Sequence, residues 1–288
     1  MGTHERTRAI ERIGYRVGVG LLASGLFHLV VFAVDGGPWE GPVSWRKAVT
    51  FGLSFGLTLI TIMWVSSYVP LRARSRRLLL GAFTAACVLE TTLVTMQVWR
   101  GVPSHFDQET TFDTVVSRVL AAGGALIIIV IVALTVAAFR ANPAVAPSMR
   151  LAVRAGFVAL DAALLLGAVM IARGVAEVAA GDQQRAYAVG GFLKNGHAAT
   201  MHGILILPAL AWLASLAGRP EHERLRIVRL GTAGYGLFAA AVIVESLTGA
   251  AVLGFGVAGV GALVLAAAGL AAVAPLVRLP RGERLLRR

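Results

Sequence analysis

Six histidines and a few carboxyl groups set the chemistry open to this 288-residue chain. His28, His105, His197 and His202 stand at the same end of successive apolar stretches, in company with Arg46, Lys47, Gln97 and Arg100. An imidazole can bind iron, bind a smaller metal or move a proton near neutral pH, so a shared site is expected there. Two coordination schemes are open. Haem b takes one His from each of two helices, such as His28 and His202. A transition metal needs three converging ligands, for which His105, His197 and His202 are the candidates. Residues five apart on a regular helix point about 140° from each other, so His197 and His202 cannot grip one ion from such a helix. The sequence places His197 at or before a helix start. Pro208 deprives the carbonyl of Ile204 of its helical donor, which predicts a kink beside His202.

The carboxyls offer a different chemistry. Glu90, Asp161 and Glu245 fall inside apolar runs, where a charge costs at least about 2.5–3.5 kcal/mol near a bilayer midplane. Glu90 and Gln97 are seven apart, so they share one helical stripe that ends at Arg100. With Lys47, these residues could carry out general acid/base chemistry without a cofactor, a carboxyl donating and a His accepting a proton. The same carboxyls could relay protons or hold a cation in a transporter or sensor, or act as structural glue between helices. Cys87 is the lone cysteine, so neither a disulfide nor a Cys-based metal cluster can form within the chain. HExxH, CxxCH, GxSxG and Asp-rich diphosphate motifs are missing from the sequence.

The elements that position these groups are transmembrane helices. Hydrophobic residues make up 57% of the chain and charged ones 15%, with a mean hydropathy of +0.76. Soluble domains use about 25% charged residues. Apolar runs at 14–34, 48–69, 78–98, 117–139, 152–173, 198–217, 230–250 and 254–277 predict about eight spans, each near the roughly 20 residues a bilayer requires. The connections are short, so residues 1–288 read as a single all-α transmembrane domain with basic tails at 1–13 and 278–288. The first run is too long for the 7–15-residue core of a signal peptide. GVGLLASG from Gly18 and GFGVAGVGAL from Gly254 look like phosphate loops but sit inside spans, where helix packing accounts for them.

Net charge is +12, yet nucleic acid is not implied. With the N-terminus cytoplasmic, 20 of the 27 Lys and Arg fall on the inner side, a strong positive-inside bias. Both termini are therefore expected in the cytoplasm and the protein in the cell membrane, with lipid as its surroundings and a hydrophobic or small-molecule substrate as partner. The four site histidines, Lys47, Gln97 and Arg100 then lie toward the outer face. Trp39, Trp45 and Trp99 would form an aromatic belt there. The third span, GAFTAACVLETTL from Gly81, parallels the seventh, GLFAAAVIVESLT from Gly236, matching Phe83 to Phe238 and Glu90 to Glu245. Duplication into two parallel four-helix halves would explain the match.

WRKAVTFGLSF from Trp45, ETTLVTMQVWRGVPSHFDQETTFD from Glu90 and LKNGHAATMHGILILP from Leu193 carry a resemblance to an uncharacterised family of bacterial multi-pass membrane proteins. The shared elements are a Lys before FxLS, Gln-x-x-Arg-Gly followed by Ser-His-Phe, and two His five apart. The resemblance implies a site among Lys47, Glu90, Gln97, Arg100, Gly101, Ser104, His105, Phe106, His197 and His202, and brings no activity with it. This chain departs at Leu205, where relatives carry Gln, and near Leu166, where they carry an acid. Two leading expectations follow: a membrane redox protein or oxidoreductase with a His-rich haem or metal site, and a cofactor-free membrane enzyme acting on a lipid or isoprenoid-like substrate. A proton- or cation-coupled transporter or sensor is the third.

Overall fold

A computed structural model describes residues 3–189, 191–248 and 254–278 of the chain. The basic tail from 279 to 288 lies outside the described residues, as do Gly249 and Ala250 at the end of the expected seventh span. The protein is an all-α membrane helical bundle, with no strand among the described residues. The helices are α1 (Thr3–Asp35), α2 (Trp45–Val65), α3 (Ala73–Trp99), α4 (Thr111–Ala138) and α5 (Pro147–Ala179), then α6 (Gln183–Val189), α7 (Lys194–Met201), α8 (Gly203–Leu216), α9 (Glu221–Thr248) and α10 (Gly254–Arg278). Seven described spans are long and apolar enough to cross a membrane, α7 and α8 together making one of them. The eighth expected span coincides with α10, whose apolar run at Gly259–Ala274 is shorter.

The expected single domain resolves into two compact units. One runs through Ala137 and takes in Gly167–Phe192, hence α1 to α4, the later part of α5, and α6. The other comprises Ala138–Leu166 and the chain from Leu193 onward, hence the earlier part of α5 and α7 to α10. The division falls near the middle of the sequence, as two halves would, but α5 contributes to both.

Glycine sets the closest helix crossings. Lipid tails give no hydrophobic drive for helices to associate, so small residues that admit backbone contact matter most. In the first unit α1 packs along α2, and a methyl group added to Gly52 would come within 2.6 Å of the Gly25 backbone. One added to Gly56 would lie 2.8 Å from the Gly18 carbonyl. In the second unit α9 and α10 meet in the same way, with a methyl on Gly234 falling 2.8 Å from the Gly261 carbonyl. The glycines of the two phosphate-loop-like segments thus include packing glycines.

In α3 the buried positions Leu80, Phe83, Cys87, Glu90, Val94 and Gln97 recur every three or four residues, which is one helical face. Glu90 and Gln97 therefore do share a stripe. The would-be counterpart of Glu90 on α9 differs: Glu90 is buried, whereas Glu245 is half-buried.

Candidate functional site

The α3–α4 connection carries Arg100, Ser104 and His105, and its shape follows from a few local rules. At the end of α3, Gly101 adopts φ 69°, a left-handed conformation that glycine takes without a Cβ clash. The amide of Val102 donates to the Gln97 carbonyl at 3.1 Å and that of Gly101 to the Val98 carbonyl at 3.1 Å. This is a Schellman cap. The Gln-x-x-Arg-Gly element is thereby explained as a helix stop that also presents two polar side chains.

Those side chains converge on a residue absent from the expected site, Asp113. Its carboxylate is buried and accepts hydrogen bonds from Arg100 Nη1, from Gln97 Nε2 at 2.9 Å and from Thr110 Oγ1 at 2.5 Å. Arg100 also donates to Gln97 Oε1 and stacks over Phe112, 4.6 Å from its ring centroid. Thr110 caps α4 by accepting the Asp113 amide at 3.1 Å. The Thr-x-x-Asp spacing of 110 to 113 is a sequence signal for such a cap and could have pointed to Asp113. Because its partners are mutually satisfied, this network pins the connection and is the structural part of the site.

A second polar group lies further along the connection. Lys47, in the first turn of α2, donates from Nζ to Ser104 Oγ at 3.4 Å, and Ser104 Oγ is 2.9 Å from His105 Nδ1. Ser104 is buried at 1% exposure. Burial first, and then the nearby Lys47 ammonium, lower the pKa of His105 to about 4, so the ring is neutral near pH 7. A neutral imidazole can accept the Ser104 proton at Nδ1, which orders the three groups as ammonium, hydroxyl and base. Phe106 follows at φ 67°, a strained value for a bulky residue. It is held there by its amide, which donates to Ser117 Oγ at 2.9 Å, and by its ring, which fills the space against Gly174 of α5. A Cβ at Gly174 would meet Phe106 Cε2 at 2.7 Å. Strain of this kind clusters at functional sites. The α6 residue Tyr187 has its hydroxyl pKa raised by burial and further by the nearby carboxylates Asp107 and Glu109.

Glu90 lies deeper on the same stripe, about 10 Å below Gln97 by helical rise. It faces Gly123 of α4, and its Oε1 is buried without a hydrogen-bond partner. His28 is elsewhere in this unit, among tryptophans. Trp99 Nε1 donates to His28 Nε2 at 3.0 Å, while His28 Nδ1 donates to the Ser24 carbonyl at 2.7 Å. Trp45 stacks on the same ring at 6.1 Å and donates to Asp35 at 3.0 Å. Both nitrogens of His28 are thus engaged, and a tryptophan occupies the one an iron would need.

In the second unit, His197 lies within α7 rather than before it. Its amide donates to the Leu193 carbonyl at 2.9 Å and its Nδ1 to the Ala163 carbonyl of α5 at 2.7 Å. His202 marks a break between α7 and α8, with Nδ1 donating to the Ala198 carbonyl at 2.6 Å. The predicted kink therefore sits at His202 itself, while α8 continues through Pro208. The cause is lateral: Tyr235 of α9 donates its hydroxyl to the Ala199 carbonyl, so two side chains take the carbonyls just before the break. Asp161 lies on the α5 segment of this unit and Glu245 on α9, beside Ser246, whose hydroxyl accepts the Gly196 amide at 3.2 Å.

Lys47, Gln97, Arg100 and His105 are thus brought together at one connection, joined by Ser104 and Asp113. Glu90 is placed beneath them and His28 apart. Among the described residues no group of three His, Cys, Asp or Glu side chains able to hold a metal ion is found; of the expected triad, His105 belongs to the first unit and His197 and His202 to the second. Comparison of the chain with protein-family models, with curated proteins and with solved structures yields no match.

Proposed function

We propose that this protein is a membrane enzyme that performs acid/base chemistry on a lipid or isoprenoid-like substrate, without a resident cofactor, at the Lys47–Ser104–His105 connection. The observation that carries the reading is the hydrogen-bonded chain from Lys47 Nζ through the buried Ser104 hydroxyl to the neutral His105 imidazole. Donation from the ammonium makes that hydroxyl a better proton donor, and the imidazole beside it is a ready acceptor. At rest His105 is a weak base because burial first, and then the Lys47 ammonium, oppose its protonation. Negative charge developing on a substrate oxygen near Lys47 offsets the ammonium and draws a proton onto His105. Proton transfer is thereby coupled to the charge that the reaction itself creates.

This reading is favoured over haem at His28 because both nitrogens of that ring are occupied. The resemblance to bacterial multi-pass membrane proteins supports the same location, since its Ser-His-Phe element supplies Ser104 and His105. The positive-inside distribution supports a cell-membrane protein with both ends cytoplasmic and this connection on the outer side.

The test is lipid and isoprenoid profiling of membranes carrying wild type, Ser104→Ala, His105→Gln, Lys47→Met or no protein, each quantified for expression. A product present only with wild type and reduced 100-fold or more by each substitution is expected. Profiles identical in all five membranes overturn the proposal.

A further inference from the structure

Among the described residues, Phe106 is the one residue other than glycine with a positive φ, and it directly follows His105. Holding a bulky side chain in the left-handed region costs about 1–3 kcal/mol and persists only where the surroundings over-determine it. Here two elements of the first unit do so. From α4, Ser117 Oγ accepts the Phe106 amide at 2.9 Å. From α5, Gly174 receives the tip of the Phe106 ring, leaving no room for a Cβ, which would meet Cε2 at 2.7 Å. The two contacts act on opposite ends of one torsion. With the amide held on Ser117, rotating φ into the ordinary negative range would swing the ring off Gly174. With the ring held on Gly174, the same rotation would pull the amide off Ser117.

This clamp bears on His105 through the backbone. The peptide joining His105 Cα to Phe106 Cα is planar, so a fixed Phe106 N–H also fixes where the His105 Cα lies. The imidazole carried on that Cα has Ser104 Oγ at 2.9 Å from Nδ1. Its ring centroid is 6.2 Å from that of Phe106 and 6.1 Å from that of Phe51 on α2. The cap at Gly101 fixes the connection before His105, and Phe106 fixes it immediately after.

We infer that Phe106, clamped by Ser117 and Gly174, is a positioning residue that sets His105 against Ser104 and Lys47. Its purpose rests on the acid/base reading of that hydrogen-bonded chain, but its test needs no substrate.

The experiment uses the full chain in lipid nanodiscs with isotope-labelled histidine. The His105 resonances are identified by their loss in His105→Gln, and the midpoint of their titration is read by NMR. Held half-buried beside Lys47, His105 has a midpoint of about 4. Asp107, the nearest carboxylate in sequence, is itself buried, with Oδ1 accepting the Glu109 amide at 3.0 Å. Ser117→Ala removes the acceptor of the Phe106 amide and should raise the midpoint by about one pH unit, toward the ordinary 6.5, as the ring leaves Lys47 and meets water. Phe106→Gly accepts the left-handed φ but has no ring to seat on Gly174, and should raise the midpoint by a similar amount. Ser117→Thr keeps a hydroxyl acceptor and should titrate as wild type does. Thermal unfolding is followed in parallel, and two variants acting on different contacts keep the test open should one fail to fold. A merely structural role would lower stability in Ser117→Ala without moving the midpoint. The inference is overturned if Ser117→Ala and Phe106→Gly both leave the midpoint at its wild-type value, or if Ser117→Thr shifts it as far as Ser117→Ala does. Failure here leaves the lipid profiles of the Ser104 and His105 variants untouched, and the absence of a lipid product leaves these midpoints untouched, so the two readings fail separately.

Discussion

Acidification from pH 7 to pH 4 forces a proton onto His105, and the cost of doing so can be worked from its surroundings. Burial and the Lys47 ammonium lower its pKa from an ordinary 6.5 to about 4. Between these values the unfolded chain binds the proton and the folded protein does not, so stability rises with pH across that window. The contribution is fully present above about pH 6.5 and is lost progressively as pH falls toward 4. At about 1.4 kcal/mol per pH unit, the loss approaches 3 kcal/mol, an upper value because the ring is only half-buried. Lys47 can be separated from burial. Its Nζ and His105 Nδ1 both contact Ser104 Oγ, at 3.4 and 2.9 Å, so the two charges would lie no more than about 6 Å apart. At an effective dielectric of about 20 that is about 3 kcal/mol of repulsion, and water at the end of a span reduces it to about half. Lys47→Met should therefore move the titration of His105 upward by about one pH unit. Burial, the larger cause, remains and keeps it below 6.5. Thermal unfolding in nanodiscs from pH 4 to pH 7 gives the readout. Wild type should lose stability steeply below pH 6, Lys47→Met less so, and His105→Gln least. Parallel curves for wild type and His105→Gln would refute the placement of a neutral, half-buried imidazole beside Lys47.

Three further outcomes follow from the same geometry. Asp113→Ala removes the acceptor shared by Arg100, Gln97 and Thr110 and should destabilise the first unit by about 3 kcal/mol, with Thr110→Ala costing about 1 kcal/mol, both read as shifts in thermal unfolding. Gly52→Val should separate α1 from α2 and cost several kcal/mol, whereas the same change at Gly20, which faces open space, should be nearly silent in that assay. Gly123→Leu occupies the position where Glu90 Oε1 lies, so it should destabilise the protein in the presence of Glu90 and less so combined with Glu90→Ala; additive effects in that double-mutant cycle would count against the contact.

How much of this was legible in the sequence depends on whether a feature is local or lateral. The spans follow from apolar run length, and the Glu90–Gln97 stripe from helical periodicity, because both are properties of one helix. The packing role of Gly18 and Gly25 was legible for the same reason: a glycine inside a span has little use other than close approach. Asp113 was half-legible, since its cap spacing to Thr110 is local but its bonds to Gln97 and Arg100 cross from α3 to α4. The bonding of His28 was not legible because its partner, Trp99, is 71 residues away, and spacing carries no information about such a pair. The kink expected beside His202 falls at His202, but its cause was not legible, for a related reason. Pro208 is a local signal, and it removes one hydrogen bond in a helix that absorbs the loss. At Ala198 and Ala199 the carbonyls are instead taken by the side chains of His202 and Tyr235, and the second comes from another helix. A proline weakens a helix from within, whereas a tyrosine hydroxyl competes for its carbonyls from outside. In a bilayer without water to satisfy stray backbone groups, a side chain from a neighbouring helix that takes a carbonyl can decide where the helix turns.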